Sequence, residues 1–400
     1  MSLKRSPPFR AEHLGSLLRT QELLDARDGK STDRDEAQVK AVEDKSIQDI
    51  VDIQLAAGFH GVTDGEYRRN LFWGTFFDGL EGFEEVPFDR EILRTYMPNV
   101  SALLQAGWVP GGSLLCTGKI KHSKSTHLDE FNFLKNHLAS KNLPTNEIKL
   151  TIPSPASYHQ RYKDGKAYAE GVYDSDQAYF ADLAKVYQEE LKLLYDAGLR
   201  NVQIDDPTLS YFCSKEMLKG WDEDSSNKKT AEELFESYIT FYNDCFSQVP
   251  SDMHIGIHIC RGNFTDDRLV SAGGYEKIAV RLFQDLKVDT FYLEFDTERA
   301  GGFEPLKHLP KNKNLILGVV STKTTQPEDV EAMKQRVHAA AKFIAEGNDQ
   351  TVEEALKRLG VSPQCGFASH SHENRLSRDQ MVAKLKLVRQ VADEIWTAEP

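Results

Sequence analysis

The 400-residue sequence predicts an α/β protein folded as a (β/α)8 TIM barrel. Short apolar runs of strand length alternate along the chain with longer amphipathic stretches of helical period. Eight such runs occur, and each ends in polar or metal-binding side chains. Eight alternating units are enough to close a parallel barrel, and a doubly wound open sheet is the structural alternative.

The strands and helices follow from these patterns. The predicted strands are Phe9–Ser16, His60–Glu66, Ile148–Ser154, Asn201–Asp206, His254–Cys260, Thr290–Phe295, Leu315–Ser321 and Gln364–Ser369. The clearest amphipathic helices are Asp176–Ala197, Thr230–Gln248, Pro327–Glu346 and Arg378–Ile395.

One long segment after the second predicted strand, Asn70–Asn146, departs from the alternation. It holds an aromatic-rich stretch, LFWGTFFDGLEGF, and a hairpin-like piece, GGSLLCTGKIKH. Long loops in barrels commonly carry function, so we interpret the segment as an insertion at the barrel rim. A packing elaboration without a role is the equal alternative. In either case residues 1–400 are predicted to form a single domain.

Composition and charge exclude several classes of protein. The net charge of −13 makes nucleic acid an unfavourable partner, because an acidic surface repels phosphates. No apolar run approaches the ~20 residues that a membrane-spanning helix needs, and the polar N-terminus lacks the apolar core of a secretory signal. Five cysteines, an odd number, argue against a disulfide framework. We therefore expect a cytoplasmic protein.

The run HIGIHIC (His254–Cys260) places metal-binding side chains on one face of a strand. Successive side chains of a strand point to opposite faces, so His258 and Cys260 share one face and the three isoleucines share the other. The isoleucines then face the helices, and His258 and Cys260 face the barrel mouth. The same alternation directs Glu294 of YLEF and Asp205 of QIDD inward.

A His-x-Cys pair on a strand is able to bind one metal ion, because same-face neighbours lie roughly 6–7 Å apart. Inward Glu294 and Cys365 from other strand ends complete a set that suits tetrahedral zinc. A lone cysteine on a strand is more often a small buried apolar residue. The residues by themselves leave both interpretations open.

Six motifs in order resemble the catalytic C-terminal domain of the cobalamin-independent methionine synthases, and still more its short single-domain homologues. The resemblance extends from about Phe9 to Ser369, and its motifs are EHLGS, TDGEYRRN, QIDDP, HICRGNF, YLEFD and SPQCGFAS. It implies a TIM barrel with a catalytic Zn²⁺. The ligands that it implies are His258, Cys260, Glu294 and Cys365.

The resemblance also implies a binding site for the amino-acid portion of homocysteine. The matching positions are Ser16 in HLGS, Glu66 in DGE and Asp205 in IDDP. Carboxylates suit a ligand ammonium group. The alternative role for Glu66 and Asp205 is to orient the loops at the barrel top.

Two departures from the family pattern concern the methyl donor. The full-length synthases carry an N-terminal half that helps to hold the folate polyglutamate, and this chain has no room for it. They also carry a catalytic histidine after the seventh strand, where this sequence reads VVSTKTTQPED. Lys323 is the candidate replacement, as a proton donor or anion contact. Methyltetrahydrofolate is therefore in doubt as the donor.

The expected activity is that of a transferase similar to 5-methyltetrahydropteroyltriglutamate–homocysteine S-methyltransferase. Such an enzyme acts in methionine biosynthesis, transferring a methyl (alkyl) group to homocysteine through a zinc-bound thiolate. The expected partners are homocysteine and a methyl donor, with a methylated folate among the candidates. The alternatives are alkyl transfer to another thiol, as in the epoxyalkane:coenzyme M transferases, a uroporphyrinogen decarboxylase-like enzyme, and a zinc-stabilised barrel that binds a thiol or metabolite without turnover.

Overall fold

The computed structural model describes residues 6–28, 36–69, 76–105, 113–262, 270–368, 376–397 and 399–400. Its strands are β1 (Leu80–Val86), β2 (Ser113–His122), β3 (Lys149–Pro153), β4 (Asn201–Asp206), β5 (His254–Ile259), β6 (Thr290–Glu294), β7 (Asn314–Val320) and β8 (Leu359–Pro363). Its α-helices are α1 (Gln21–Asp28), α2 (Glu36–Ala56), α3 (Pro98–Gln105), α4 (Leu128–Ser140), α5 (Asp176–Ala197), α6 (Thr208–Tyr211), α7 (Lys215–Glu223), α8 (Ala231–Phe246), α9 (Ala279–Asp285), α10 (Val330–Asn348), α11 (Val352–Leu356) and α12 (Arg378–Ile395).

A parallel sheet of six strands, β3 to β8 in sequence order, forms most of the barrel wall. All residues of these strands are buried, as expected for parallel strands covered by helices. The register pairs Asp205 of β4 with His258 of β5, and Glu294 of β6 with Gly318 of β7. The polar residues at the carboxyl ends of neighbouring strands are therefore level with one another.

The first two predicted strands are present as extended segments that each make one parallel bridge to an edge of this sheet. Ala11 bridges to Val361 of β8, and Val62 bridges to Ile148 just before β3. The two segments also meet each other, since Leu17 N donates to Gly65 O at 3.1 Å. These contacts join the two segments to the edges of the sheet and to each other, and the fold is a (β/α)8 barrel whose first two segments are irregular.

Left-handed backbone conformations explain why these two segments are not regular strands. Gly15 has φ +58°, and Gly65 and Glu66 have φ +68° and +59°. A strand requires φ near −120°, so the chain leaves the extended conformation at these residues. Both segments turn at the barrel mouth, where their side chains meet.

The eighth strand lies before the segment predicted for it. The structure places β8 at Leu359–Pro363, and Gln364–Ala368 continues as a loop, with Ser369 outside the described residues. Gln364 N still donates to Val320 O of β7 at 2.9 Å, but Phe367 N donates to Ser16 O at 2.7 Å, so beyond Gln364 the loop pairs with the first segment. A Cβ at Gly366 would come within 2.7 Å of Ser16 N, so only glycine permits the close approach.

The barrel interior holds a small apolar cluster with charged and polar residues around it. Leu14 from the first segment packs there with Tyr292 of β6 and Ile316 of β7. Lys149 of β3 forms a buried ion pair with Glu12, across the point where the ring closes. The first segment therefore contacts three different strands, β3, β6 and β7, as expected inside a barrel.

The four predicted helices are observed, and two have the predicted bounds. Helices α5 and α12 coincide with the predicted ranges. Helix α8 begins one residue later and ends two residues earlier than predicted, and α10 begins three residues later and ends two residues later. Thr230 caps α8 through a reciprocal capping box with Glu233. Gly198, at φ +114°, ends α5.

The described part of the predicted insertion contains an antiparallel pair of strands, β1 and β2, and two α-helices, α3 and α4. The piece predicted as a hairpin is instead a single strand, β2, whose partner β1 precedes it in the chain. Residues 70–75 and 106–112 of the insertion lie outside the described residues. Strand β2 and helix α4 both pack against α5.

Two further sequence expectations concern membranes and cysteines. Across the described ranges, the structure contains no helix that is both long and apolar enough to span a bilayer. All five cysteines are among the described residues, and each is a free thiol.

Candidate metal centre and substrate site

The end of β5 places His258 and Cys260 at the barrel mouth. His258 is buried, and its Nδ1 lies 3.3 Å from Tyr292 O. Its Nε2 is buried without a hydrogen-bond partner among the described residues. A buried imidazole nitrogen normally has a partner, so this atom is suited to bind a ligand from the barrel mouth.

Glu294 and Cys365 complete a compact group with these two residues. One ligand atom from each of His258, Cys260, Glu294 and Cys365 lies within 4.8 Å of the others. The two sulfurs are 3.6 Å apart. In a tetrahedral zinc site with Zn–S bonds near 2.3 Å, two sulfurs are separated by about 3.8 Å. The donor set and its spacing fit a zinc ion.

The pKa values of the group reflect its crowding. A hydrogen bond from Cys365 lowers the pKa of the Cys260 thiol, and the same contact raises the pKa of Cys365. Burial alone would lower the pKa of His258, but the Cys260 sulfur and the charges of Asp205 and Glu294 raise it to about 9. Burial raises the pKa of Glu294. Buried anionic donors in this number favour a cation among them.

Glu294 has two further contacts that orient its carboxylate. Arg261 N donates to Oε1 at 2.6 Å, and the Arg299 guanidinium forms an ion pair with Oε2. Glu294 N lies 3.2 Å from the hydroxyl of Tyr275. Arg299 is not predictable from the sequence, because nothing in its short 3₁₀ turn marks it as a neighbour of β6.

Ser16 and Glu66 meet where the first two extended segments of the chain face each other. Both are buried, and the Ser16 hydroxyl donates to Glu66 Oε2. Thr151 of β3 donates to Glu66 Oε1 at 2.9 Å. Both oxygens of the carboxylate are therefore held by hydroxyl groups. The sequence predicted the nearness of Ser16 and Glu66 only through the resemblance.

Asp205 lies between this pair and the group of four. Its carboxylate accepts from Gln203 and sits within electrostatic range of Glu66, His258 and Cys260. Burial, followed by the charge of Glu66, raises the pKa of Asp205 to about 7. Two neighbouring buried carboxylates create a negative environment, which attracts a cationic ligand group.

Lys323 follows β7 on the same face of the barrel. Its Nζ donates to Gly262 O at 3.3 Å, and its charge interacts with Glu294 and Cys365. Burial, followed by the charge of Arg299, lowers the pKa of Lys323. The structure therefore brings all eight side chains that the sequence analysis singled out to one end of the barrel.

Three supporting residues of this site were missed from the sequence. Thr151 faces inward on β3, so strand alternation could have identified it. Arg69, which is fully buried, and Glu130, on α4, are linked by an ion pair of 2.9 Å beneath Glu66. No local pattern connects two residues so far apart along the chain.

Fold and site together define a (β/α)8 barrel protein with a sulfur, nitrogen and oxygen cluster of metal-binding type, beside a carboxylate pair, at the carboxyl ends of its strands. The sequence profile of the family described as "Cobalamin-independent synthase, Catalytic domain" matches residues 170–394. The chain belongs to this family, whose members are methyltransferases.

Individual relatives agree with this assignment. The protein YxjH of Bacillus subtilis (strain 168), described as uncharacterized, is 34% identical over 98% of this chain and 96% of its own length. A putative vitamin-B12-independent methionine synthase from Listeria monocytogenes has 30% identity and a TM-score of 0.70, covering 97% of this chain and 98% of that chain. A B12-independent methionine synthase from Shewanella, solved with selenomethionine, has 18% identity and a TM-score of 0.68, covering 97% of each chain.

Proposed function

We propose that this chain transfers a methyl group to the thiol of homocysteine and forms methionine, with Zn²⁺ bound by His258, Cys260, Glu294 and Cys365. The observation that carries the proposal is the approach of these four donor atoms to within 4.8 Å of one another. They lie at the carboxyl ends of the strands, where barrel enzymes have their active sites. The proposal treats the whole chain as a single domain.

The donor set suits activation of a thiol better than activation of water. A free thiol is mostly protonated at neutral pH, and only its thiolate is a good nucleophile. Zinc, when bound, supplies the Lewis acid that removes the thiol proton. Two cysteine thiolates and a carboxylate give the site an excess of negative charge, which favours an electron-rich sulfur.

Ser16, Glu66 and Asp205 are proposed to hold the amino-acid portion of the substrate. The two carboxylates would face the ammonium group, and Ser16 would orient Glu66 through its hydrogen bond. Selenomethionine in the Shewanella relative supports a ligand of this size and chemistry. Coenzyme M has no ammonium group, so the carboxylate pair favours homocysteine over that thiol.

The function is tested by zinc quantitation together with a screen for methyl transfer. Homocysteine and other thiols would each be combined with methyltetrahydrofolate mono- and polyglutamates, S-methylmethionine and epoxides. The expected result is one bound zinc per chain and methionine formation with at least one donor. Protein that binds zinc weakly and alkylates no thiol would contradict the proposal.

The binding of methionine is expected to depend on pH through Asp205. Its pKa is about 7, so below that pH the carboxyl group is protonated and loses its attraction for the ligand ammonium. Between pH 8 and pH 6 the affinity should fall about tenfold. Calorimetry with methionine measures this cleanly, because a thioether releases no proton on binding. The Asp205→Asn variant should bind weakly at both pH values, and a profile as steep as that of the unsubstituted protein would refute the assignment.

Lys323 is proposed to act on the molecule that gives up its methyl group, either by donating a proton to it or by contacting an anionic group on it. Replacement Lys323→Met should lower kcat about a hundredfold while zinc content stays unchanged, since the side chain lies beside the proposed ligands without belonging to them. Lys323→His should recover part of the rate. Unchanged kcat in Lys323→Met would show that the lysine only balances nearby carboxylates.

A further inference from the structure

Arg69 connects the substrate site to the insertion. Its guanidinium is fully buried, and Nη1 donates to the Thr151 hydroxyl at 3.0 Å. Nη2 donates to Thr151 O at 2.7 Å and to Glu130 Oε2 at 2.9 Å. Thr151 in turn donates to Glu66 Oε1. A continuous chain of hydrogen bonds thus extends from α4 to Glu66, which is proposed to bind the ammonium group of the substrate.

The charges around Arg69 are unequal. Three buried carboxylates, those of Asp64, Glu66 and Glu130, act on this one guanidinium. Arg69 lies closest to Glu130, with an N–O distance of 2.9 Å, whereas its Nη1 is 3.7 Å from Glu66 Oε1. The direct, charge-assisted hydrogen bond is therefore made to Glu130, and the ion pair with Glu66 is longer and is not a hydrogen bond.

We propose that Glu130 is a positioning residue for the substrate site, which keeps the 3.7 Å ion pair between Arg69 and Glu66 from closing to a direct hydrogen bond. The charge of Glu66 then stays only partly compensated and attracts the ammonium group of the ligand, and Thr151 and Ser16 fix the direction of its carboxylate. This gives the insertion a role in substrate recognition. The inference rests on the proposed function, since it takes Glu66 as an ammonium ligand.

Loss of the Glu130 charge should redirect Arg69. In Glu130→Gln the side chain keeps its size and a carbonyl oxygen, but it no longer competes as an anion for the guanidinium. Glu66 becomes the nearest strong partner, and a shorter, hydrogen-bonded Arg69–Glu66 pair would oppose binding of a ligand cation. Groups coupled in one hydrogen-bond network show interaction effects that correspond here to about a tenfold loss of affinity.

The test compares two ligands that differ only in the ammonium group. Calorimetry on the zinc-loaded full chain would measure Kd for methionine and for 4-(methylthio)butanoate, which lacks the amino group. We expect Glu130→Gln to weaken methionine binding about tenfold and to leave the desamino ligand within twofold. The matched control is Glu147→Gln, because Glu147 is similarly buried and binds His60 at 2.7 Å, but precedes β3 at the opposite end of the barrel.

A second variant covers the case in which Glu130→Gln fails to fold. Thr151→Val keeps every charge and nearly the same volume, but removes the hydroxyl that joins Arg69 to Glu66. It should show the same selective loss of methionine affinity. An equal loss for both ligands in these variants would indicate a merely structural role, and unchanged affinities would equally overturn the proposal.

The same titrations separate this inference from the proposed function. The unsubstituted protein should prefer methionine to 4-(methylthio)butanoate, and Glu66→Gln should abolish the preference. If both results are obtained but Glu130→Gln retains the preference, only the role of Glu130 is wrong. If the unsubstituted protein shows no preference, the ammonium site fails, and the role of Glu130 fails with it.

Discussion

Replacing Cys260 or Cys365 with serine is expected to remove bound zinc and methyl transfer together. Each sulfur is one of four donor atoms within 4.8 Å, and the two sulfurs are 3.6 Å apart. A serine hydroxyl stays protonated at neutral pH and is a poor zinc ligand beside the thiolate that it replaces. Zinc content after dialysis and the rate of methionine formation measure the two losses.

A matched control separates loss of the metal from loss of the fold. Cys116 is also buried, and its thiol donates to Gly118 O within the hairpin, a bond that a serine hydroxyl can replace. Cys116→Ser should therefore retain zinc and activity. Full zinc content in both Cys260→Ser and Cys365→Ser would contradict the ligand assignment, whatever their activity.

Glu66→Gln is expected to raise KM for homocysteine by roughly two orders of magnitude, because a buried charge that pairs with a ligand charge is removed. The carboxylate is fully buried and held by Ser16 and Thr151, and Asp205 would remain as the second carboxylate near the ammonium group. Zinc content should not change, since Glu66 does not belong to the group of four. Steady-state kinetics with varied homocysteine, together with zinc quantitation, measure both quantities.

The comparison for this variant is again Glu147→Gln, which removes a buried carboxylate at the other end of the barrel. Its KM should stay close to that of the unsubstituted protein. A normal KM in Glu66→Gln would assign Glu66 to bracing the loop that turns at Gly65. Loss of zinc in Glu66→Gln would mean that the two parts of the site depend on each other for folding.

Much of the barrel was predictable because its signals are local. The bounds of α5 follow from its helical period, with Ser175 as its N-cap and Gly198 as its C-cap. Strand alternation correctly directed His258 and Glu294 toward the barrel mouth, because a period of two has no dependence on distant contacts. The (β/α)8 class followed from the order of these elements.

The misplaced eighth strand has a different cause. The segment Gln364–Ala368 is apolar enough to resemble a strand, yet only Gln364 bonds to β7, and Phe367 and Ala368 bond to Ser16 O. Its path depends on the close approach of Gly366 to a segment almost 350 residues earlier in the chain. The single-strand nature of β2 likewise depends on a partner outside the predicted piece, because β2 pairs with β1.

By itself, the sequence determined the barrel class, the inward direction of the polar strand ends and, through its motifs, which side chains to expect there. The tertiary structure decided the distances between these side chains, because the first segment and β8 meet only in the folded barrel. It also decided which residues support the site: Arg69, Thr151 and Glu130 come together because Arg69 bonds both to β3 and to α4 of the insertion. Alternation and helical period act between near neighbours in the chain, whereas closure of a barrel brings together residues that no local pattern relates.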